Sequence, residues 1–444
     1  MFFPAILNSE AAKVWHLNQQ LHEFERLPSI RQQALQTRSL QSLLDWSYTH
    51  SAFWRERLAA VGWSGQANPW GMLSALPQLL RSEVQAHADT LSCAHALVSD
   101  SCNWAQSTGS TGRPVRVLKH ADPYRLRYFA FAWRSTLWHQ IDVSKTIVKY
   151  SVRVQDDVVP SWGAPEAWFA KTGMAILSRA IERDVSEMYV PLKQHSPSYL
   201  VANASLVDAL ARHALEHDGQ DLPRLDAILS TGESVTDKIR SDCQAAFGAK
   251  VINRYSCEEI GWLALQCPKH DHLHVLSANV IIEIVDAEGR PCKTGQPGRV
   301  LVTALHSEAM PLIRYDIGDI AEWGEPCDCG IQLPVIRRLW GREREFVRTP
   351  QGEFRYIAIV AEEFLKIAPI RDMRFRLYRN PLLHLEVVCD TELNADQREA
   401  LAAKIYSLIG FVCPVEIEQL AHIRWDEADK RLAFAVLDTA WSRV

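Results

Sequence analysis

Residues 227–259 constrain the fold more than any other stretch of the chain. Ala227-Ile228-Leu229-Ser230 is a short apolar run, Val235 to Phe247 reads as a helix, and Lys250-Val251-Ile252-Asn253 is a second strand-like run. A polar turn follows each run: Thr231-Gly232-Glu233-Ser234 after the first, Arg254-Tyr255-Ser256-Cys257-Glu258-Glu259 after the second. Strand, helix and strand in that order predict an α/β sheet with parallel pairing. Ligands of such sheets bind beyond the carboxyl ends of the strands, so both turns are candidate binding elements.

A third candidate lies upstream, in Gln106-Ser107-Thr108-Gly109-Ser110-Thr111-Gly112-Arg113-Pro114. The glycines let the backbone turn and expose N–H groups to an anion, and the four hydroxyls can reach phosphate oxygens. No Gly-Lys-Ser/Thr follows at the required spacing, which excludes a Walker-type P-loop. The strand-like Val115-Arg116-Val117-Leu118 comes next, so the loop suits a hairpin-like phosphate clamp.

A length of 444 residues exceeds one ordinary core and predicts two or three domains. A formal charge of -5 gives no reason to expect nucleic acid or an anionic membrane as partner. The apolar Met1–Leu7 has no basic n-region and no small-residue cleavage site, and no apolar run is long enough to span a bilayer. The expected compartment is the cytoplasm, with room for an oligomer.

Elsewhere, Ser9 to His50 is expected to be helical with a break near Leu27-Pro28-Ser29, and Ser82 to Thr90 to form a short polar helix. Pro123 to His139 reads as a helix rich in aromatics, which with Trp162 suggests either a pocket for an aryl or planar acid or ordinary core packing. Thr146 to Val154 reads as a strand, Ala164 to Val185 as largely helical, Ser198 to Val201 as a strand, and Ser205 as the cap of a helix reaching Glu216. Val280–Val285 and Arg299–Thr303, separated by two turn signals, predict a mainly antiparallel β region. From about Val347 the order β-β-α-β predicts a small lobe, with Asn394 and Gln397 in a capping-box pattern.

Most of the 10 cysteines are scattered, but Cys267-Pro268-Lys269-His270-Asp271-His272-Leu273-His274 and Cys327-Asp328-Cys329-Gly330 form two sulfur/imidazole clusters. Three thiolates and one imidazole make a closed tetrahedral zinc site of the structural kind. Four protein ligands leave no open position for catalysis.

The order of the Ser/Thr/Gly loop, Tyr255-Ser256-Cys257-Glu258-Glu259 and Arg314-Tyr315-Asp316-Ile317-Gly318-Asp319 resembles the adenylate-forming (acyl-CoA synthetase) superfamily. The closer match is its phenylacetate–CoA ligase branch, which includes capsule-biosynthesis homologues. Leu76-Pro77, Thr231-Gly232-Glu233 and Pro311-Leu312-Ile313-Arg314-Tyr315 add to it, and the resemblance runs from roughly Ser39 to the C-terminus. It implies an α/β fold: a large N-terminal adenylate-forming domain (1–340) of α/β sheets plus a β region, a hinge (341–346), and a small mobile C-terminal α+β lobe (347–444).

The resemblance also implies an activity: ATP and a carboxylic acid give an acyl-adenylate and pyrophosphate, and an acceptor then takes the acyl group. The acceptor implied is coenzyme A; an amine, a carrier protein, or a catalytically silent ATP-binding scaffold are the rivals. By resemblance Ser107, Thr108, Gly109, Ser110, Thr111 and Gly112 hold the β- and γ-phosphates, Glu259 holds Mg2+, and Asp319 accepts from the ribose hydroxyls. Gly232, Glu233 and Tyr255 border the adenine, and Arg314 supports the Asp319 motif. Lys430 is the candidate for the lysine that stabilises charge during adenylation. The hinge, Gly341-Arg342-Glu343-Arg344-Glu345-Phe346, places Arg344 and Glu345 where the family has two aspartates. For zinc the resemblance picks Cys267, His274, Cys327 and Cys329, with His272 or His270 as alternatives to His274.

Overall fold

The computed structural model describes residues 8–342 apart from 66–67, 107–114, 152–153, 181–184 and 218–222, and then 346–348, 354–356, 364, 366–378, 382–389, 391–409, 411–421, 423 and 434–436. The chain divides into two compact units. The first holds residues 1–105, 117–317 and 321–339; the second holds 106–116, 318–320 and 340–444.

The first unit opens with helices α1 (Ser9–Phe24) and α2 (Ser29–His50). The Asn8 side chain accepts from the Ala11 N–H at 2.7 Å and so caps α1. Pro28 lacks a donor, which a helix can spare only at its start, so the break falls where the sequence predicts it. Four short helices follow: α3 (Ala52–Ala60), α4 (Pro69–Ala75), α5 (Arg81–Leu91) and α6 (Ala94–Leu97). Strands β1 (Cys102–Gln106) and β2 (Arg116–His120) pair as a two-stranded ribbon, and α7 (Ala121–Trp138) comes next.

A twelve-stranded sheet dominates. Its strands are β3 (Ile147–Ser151), β4 (Asp157–Val159), β5 (Ala175–Arg179), β6 (Tyr199–Ala202), β7 (Ala227–Thr231), β8 (Lys250–Cys257), β9 (Gly261–Gln266), β10 (Leu273–Val275), β11 (Val280–Val285), β12 (Pro297–Ala304), β13 (Tyr315–Trp323) and β14 (Val335–Arg342). The order is β11-β12-β13-β14-β10-β9-β8-β7-β6-β3-β5-β4. Strands β5, β3, β6, β7 and β8 run parallel to one another, and from β9 onward the observed pairings are antiparallel. Helices α8 (Glu166–Phe169), α9 (Val185–His195), α10 (Ala204–His217) and α11 (Asp237–Phe247) connect the parallel strands.

Both faces of the parallel half are buried, which is why Ala227-Ile228-Leu229 is apolar without alternation. Val148, Leu200, Ile228 and Val251 pack on one face with Leu210 and Phe247. Ile147, Tyr199, Leu229 and Ile252 pack on the other with Trp133 and Trp162. Phe131, Trp133 and Trp138 of α7 are buried, so that part of the aromatic stripe is core, whereas Tyr128 is 41% exposed.

Two expectations fail here. The stretch 164–185 is not mainly helical. It contains the four-residue α8 and then strand β5, whose Ala175-Ile176-Leu177 completes the parallel set beside β3. Short apolar runs do not distinguish strand from helix by period, and the neighbouring strand decided it. Ser205 does not cap α10 with its hydroxyl; it lies inside the helix and its N–H is taken up by Glu233.

In the second unit, β15 (Phe346–Arg348) pairs with β16 (Phe354–Tyr356). Strands β17 (Ile370–Leu377), β18 (Leu383–Cys389), β19 (Val415–Gln419) and β20 (Phe434–Val436) form a sheet in the order β19-β18-β17-β20. Helix α12 (Ala395–Ile409) sends Leu401, Ile405 and Ile409 into a core with Phe375, Leu385 and Val387. The capping box is present: the Gln397 N–H donates to Asn394 Oδ1 at 2.9 Å, and the Asn394 N–H to Gln397 Oε1 at 3.1 Å.

A buried ion pair ties α1 to α7. Arg134 is bidentate to Glu25 and also donates to Asn18 Oδ1 at 3.2 Å, while Trp138 Nε1 donates to Glu25 at 3.2 Å. Removing one partner strands the other charge in the interior. Glu25→Ala is expected to lower the unfolding free energy by about 3–5 kcal/mol in urea denaturation. Replacing Glu25 and Arg134 together by Met should recover most of that loss; a double variant no more stable than Glu25→Ala contradicts the reading.

Candidate functional site

The first predicted turn does leave the carboxyl end of β7, but of the second, Arg254 to Cys257 belong to the parallel neighbour β8 itself, because they pair with β9, and only Glu258 and Glu259 lie beyond the strand end. Gly232 has φ +80°, a conformation that side chains resist, so glycine is required at the first turn. Glu233 has both oxygens in use: Asn203 Nδ2 donates to Oε1 at 3.0 Å, and the Ser205 N–H donates to Oε2 at 2.6 Å. A carboxylate on the first amides of α10 complements the helix dipole and fixes the turn against that helix.

Within β8, Tyr255 is 5% exposed and pairs with Ala264 of β9, with an irregularity in the register just after it. Glu259 lies beyond the strand end and is 8% exposed. Its Oε1 meets Arg81 Nη1 at 3.0 Å and accepts from the Tyr315 hydroxyl at 3.3 Å. Burial, then the Glu259 charge, push the Tyr315 phenol well above its ordinary pKa, so it stays a donor to the carboxylate. A single buried carboxylate at a strand end fits magnesium carried on a nucleotide, since that ion takes one or two carboxylates and completes its shell with phosphate and water. In this structure Arg81 already meets the Glu259 charge.

Arg314 explains how Arg81 comes to be there. With φ +50° it turns its side chain under the α4–α5 connection, where it donates to the carbonyls of Ser74 and Leu76 and pairs with Glu283 at 3.1 Å. Its own carbonyl accepts from the Leu79 N–H at 2.9 Å, and the Asp316 N–H donates back to the Leu79 carbonyl at 3.0 Å. The segment Leu76–Arg81 is thereby laced along the start of β13. Burial raises the Glu283 carboxyl and Arg314 opposes that rise. Arg314 is thus a scaffold residue in this geometry.

Asp319 is half-buried on β13, after Gly318, and clusters with the second unit. The residues Ser107, Thr108, Gly109, Ser110, Thr111 and Gly112 lie outside the described residues, as do Lys430, Arg344 and Glu345.

Sequence reasoning missed several groups around these turns. Arg81 stands 178 residues from Glu259 and carries no local signal. Lys119 donates to the Glu258 carbonyl at 2.5 Å and sits 3.8 Å over the Tyr124 ring, and burial lowers its pKa. That ring in turn approaches Gly261, where a Cβ would come within 3.3 Å of it and φ is +98°. Glycine next to the Glu258-Glu259 pair was the one available clue.

The four predicted sulfur and imidazole ligands do converge. Cys267 follows β9, His274 lies on β10, and Cys327 and Cys329 lie in the loop between β13 and β14. Their ligand atoms all lie within 4.8 Å of one another. Cys267 Sγ and Cys327 Sγ are 3.7 Å apart, close to the roughly 3.8 Å edge of a tetrahedron with zinc–sulfur bonds of about 2.3 Å. Cys329 Sγ is 3.2 Å from His274 Nε2, and His274 Nδ1 faces the Leu333 carbonyl at 3.3 Å. That outer contact leaves Nε2 as the ligating atom. Burial pulls the His274 pKa down to about 4, so the imidazole is neutral and able to ligate at any pH near neutrality. None of the ten cysteines forms a disulfide. Of the alternatives, His270 is instead 2.6 Å from Asp328, and His272 is not in the four-residue group.

With this geometry in hand, comparison with known proteins gives a consistent answer. A family model described as AMP-binding enzyme matches residues 161–306, the stretch that contains β5 to β8 and both turns. The phenylacetate-coenzyme A ligase of Pseudomonas putida is 26% identical over 54% of this chain and 57% of its own length. Protein CapK of Staphylococcus aureus is 26% identical over 36% of this chain and 34% of its own length. The matched stretches therefore span about half or less of these relatives. Among solved structures, 2-hydroxyisobutyryl-CoA ligase bound to its acyl-adenylate superposes with a TM-score of 0.68 at 18% identity, over 93% of this chain and 90% of that one. The fold is that of the adenylate-forming ligases, with a large mixed sheet and a small C-terminal sheet-and-helix lobe. Residues 161–306 thus match the AMP-binding enzyme model, and the chain is similar to the phenylacetate-coenzyme A ligases.

Proposed function

We propose that this protein is an AMP-forming carboxylate ligase that activates an organic acid with ATP and passes the acyl group to coenzyme A. The observation that carries this reading is the AMP-binding match over 161–306, which contains the carboxyl ends of the adjacent parallel strands β7 and β8, where α/β sheets bind ligands. In the first half-reaction a carboxylate oxygen bonds to the α-phosphorus of ATP as the bond to pyrophosphate breaks. In the second, the coenzyme A sulfur, as thiolate, attacks the acyl carbon and AMP leaves. Positioning and charge neutralisation supply most of the acceleration in such transfers.

In this reading the Ser107–Gly112 loop holds the β- and γ-phosphates, Glu259 holds Mg2+, and Asp319 takes the ribose hydroxyls. Mg2+, when bound, neutralises phosphate charge. Gly232, Glu233 and Tyr255 border the adenine; Glu233 acts by holding the turn in shape, since both its oxygens are engaged. Residues 347–444 bring Lys430 to the reaction across a hinge at 341–346. Cys267, His274, Cys327 and Cys329 hold a structural zinc that joins β9, β10 and the loop before β14.

ATP–pyrophosphate exchange with magnesium, across aryl, fatty, amino and sugar acids, tests the activity. Exchange that depends on one acid class is expected, with thioester formation once coenzyme A is added. Asp319→Ala and Lys430→Ala should each lower exchange by about 100-fold or more; no exchange with any acid in folded protein would refute the reading. Zinc is tested separately by elemental analysis, with about one zinc per chain expected. Cys327→Ser should lose that metal and melt at a lower temperature, while wild-type protein free of zinc after expression in zinc-replete medium would count against the site.

A further inference from the structure

The sheet face beneath α7 changes character along the strands. On β3, Ile147 belongs to the apolar cluster with Trp133 and Trp162, and Lys149 follows two residues later on the same face. On β8, Ile252 belongs to that cluster and Arg254 follows it in the same way. Period two thus places two cations toward the carboxyl ends of parallel strands, the end at which such sheets bind ligands.

Arg254 is poorly served there. Its Cζ lies 5.8 Å from the Trp262 ring centroid, and that ring meets Tyr128 at 5.4 Å. Its Nε is shut off from solvent and has no hydrogen-bond partner among the described residues, and no described carboxylate forms an ion pair with it. Burial acts on it first, and the carboxylate whose charge opposes that effect is Glu166; burial raises the Tyr128 phenol, which stays neutral. Glu166 accepts from Thr136 Oγ1 at 3.3 Å, and Lys149 donates to the Trp162 carbonyl at 2.8 Å. Glu166 is thus the one described carboxylate whose charge acts on both cations. Burial pushes both Arg254 and Lys149 down from their ordinary pKa values, and Glu166 opposes the shift in each. Arginine nevertheless keeps its proton in proteins, and the half-buried Arg254, whose shielded Nε has no acceptor, is better satisfied once a ligand supplies one.

We propose that Arg254 determines acid specificity by binding a second anionic group on the substrate, so that the preferred acid is a dicarboxylate. The inference rests on the carboxylate-ligase reading above. One carboxyl is activated; the other meets the Arg254 fork, which matches carboxylate geometry with two parallel hydrogen bonds. The body of the acid lies against the faces of Tyr128 and Trp262. A monocarboxylate of the same shape leaves Arg254 unpaired, and sites discriminate steeply against analogues that strand a buried polar group.

The test uses matched pairs, benzoate with benzene-1,4-dicarboxylate and hexanoate with hexanedioate, in both pyrophosphate exchange and calorimetric binding. Wild type, Arg254→Met and Arg254→Lys are compared after their folding is checked by thermal unfolding. The wild type is expected to favour the diacid of at least one pair by about thirtyfold or more in kcat/KM. Arg254→Met should abolish that preference by depressing the diacid while leaving the monoacid unchanged or improved, and Arg254→Lys should retain part of it. Should the Met variant fail to fold, Arg254→Gln carries the same comparison. A wild type that prefers the monoacid of both pairs, a variant that loses both members equally, or a wild type that binds neither diacid overturns the assignment. Diacid binding that Arg254→Met removes, in a wild type with no exchange, would uphold Arg254 and overturn the ligase reading. Exchange with monoacids alone would do the reverse.

Discussion

Strand β8 is hydrogen-bonded in parallel to β7 on one edge and antiparallel to β9 on the other. The rest of the first unit depends on that double pairing. It joins the helix-connected half of the sheet, buried on both faces, to the antiparallel half that carries the cysteines and the start of β13. The register shifts at Tyr255/Ser256, at the point where the strand leaves the sheet for Glu258 and Glu259. A shift at a strand end re-aims the side chains beyond it. One strand therefore contributes the buried Ile252, the cation Arg254, the buried Tyr255 and the path to Glu259.

Charges in this region are buried in pairs across long sequence separations. Arg81 meets Glu259, Arg314 meets Glu283, and Arg299 meets Asp316 at 3.0 Å. Such pairs add little net stability compared with apolar packing, but each becomes costly when one partner is missing. Their effect is to fix geometry: the Leu76–Arg81 segment has few ways to lie against β13 that satisfy all three pairs at once. Arg254 departs from the pattern, which is why it attracts a functional reading and its paired neighbours a structural one.

The cluster of three cysteines and a histidine shows how far spacing carries an argument. Cys-x-Cys and Cys-Pro followed by histidines announced a donor set, but left three histidines in competition. The β10 register decides between them. His274 pairs with Leu265 and Val335, is fully buried, and has its far nitrogen at the Leu333 carbonyl. His270 is drawn away to Asp328. His274 alone of the three lies on β10, and its pairing with both neighbouring strands, invisible in the spacing, decides which imidazole is held at the sulfurs.

The sequence alone determined the parallel β7–α11–β8 unit, the turn at Gly232, the helix break at Pro28 and the capping box at Asn394. Each of these is local: a period, a missing donor, a backbone angle or a fixed spacing. The strand at Ala175–Arg179 was not legible, because an apolar run of that length takes the conformation its neighbour imposes. The role of Glu233 at the start of α10, the scaffold role of Arg314 and the pairing of Glu259 with Arg81 were decided only by tertiary structure. They depend on which distant groups share a buried volume, and burial, more than residue type, determines whether a charge must find a partner or wait for a ligand.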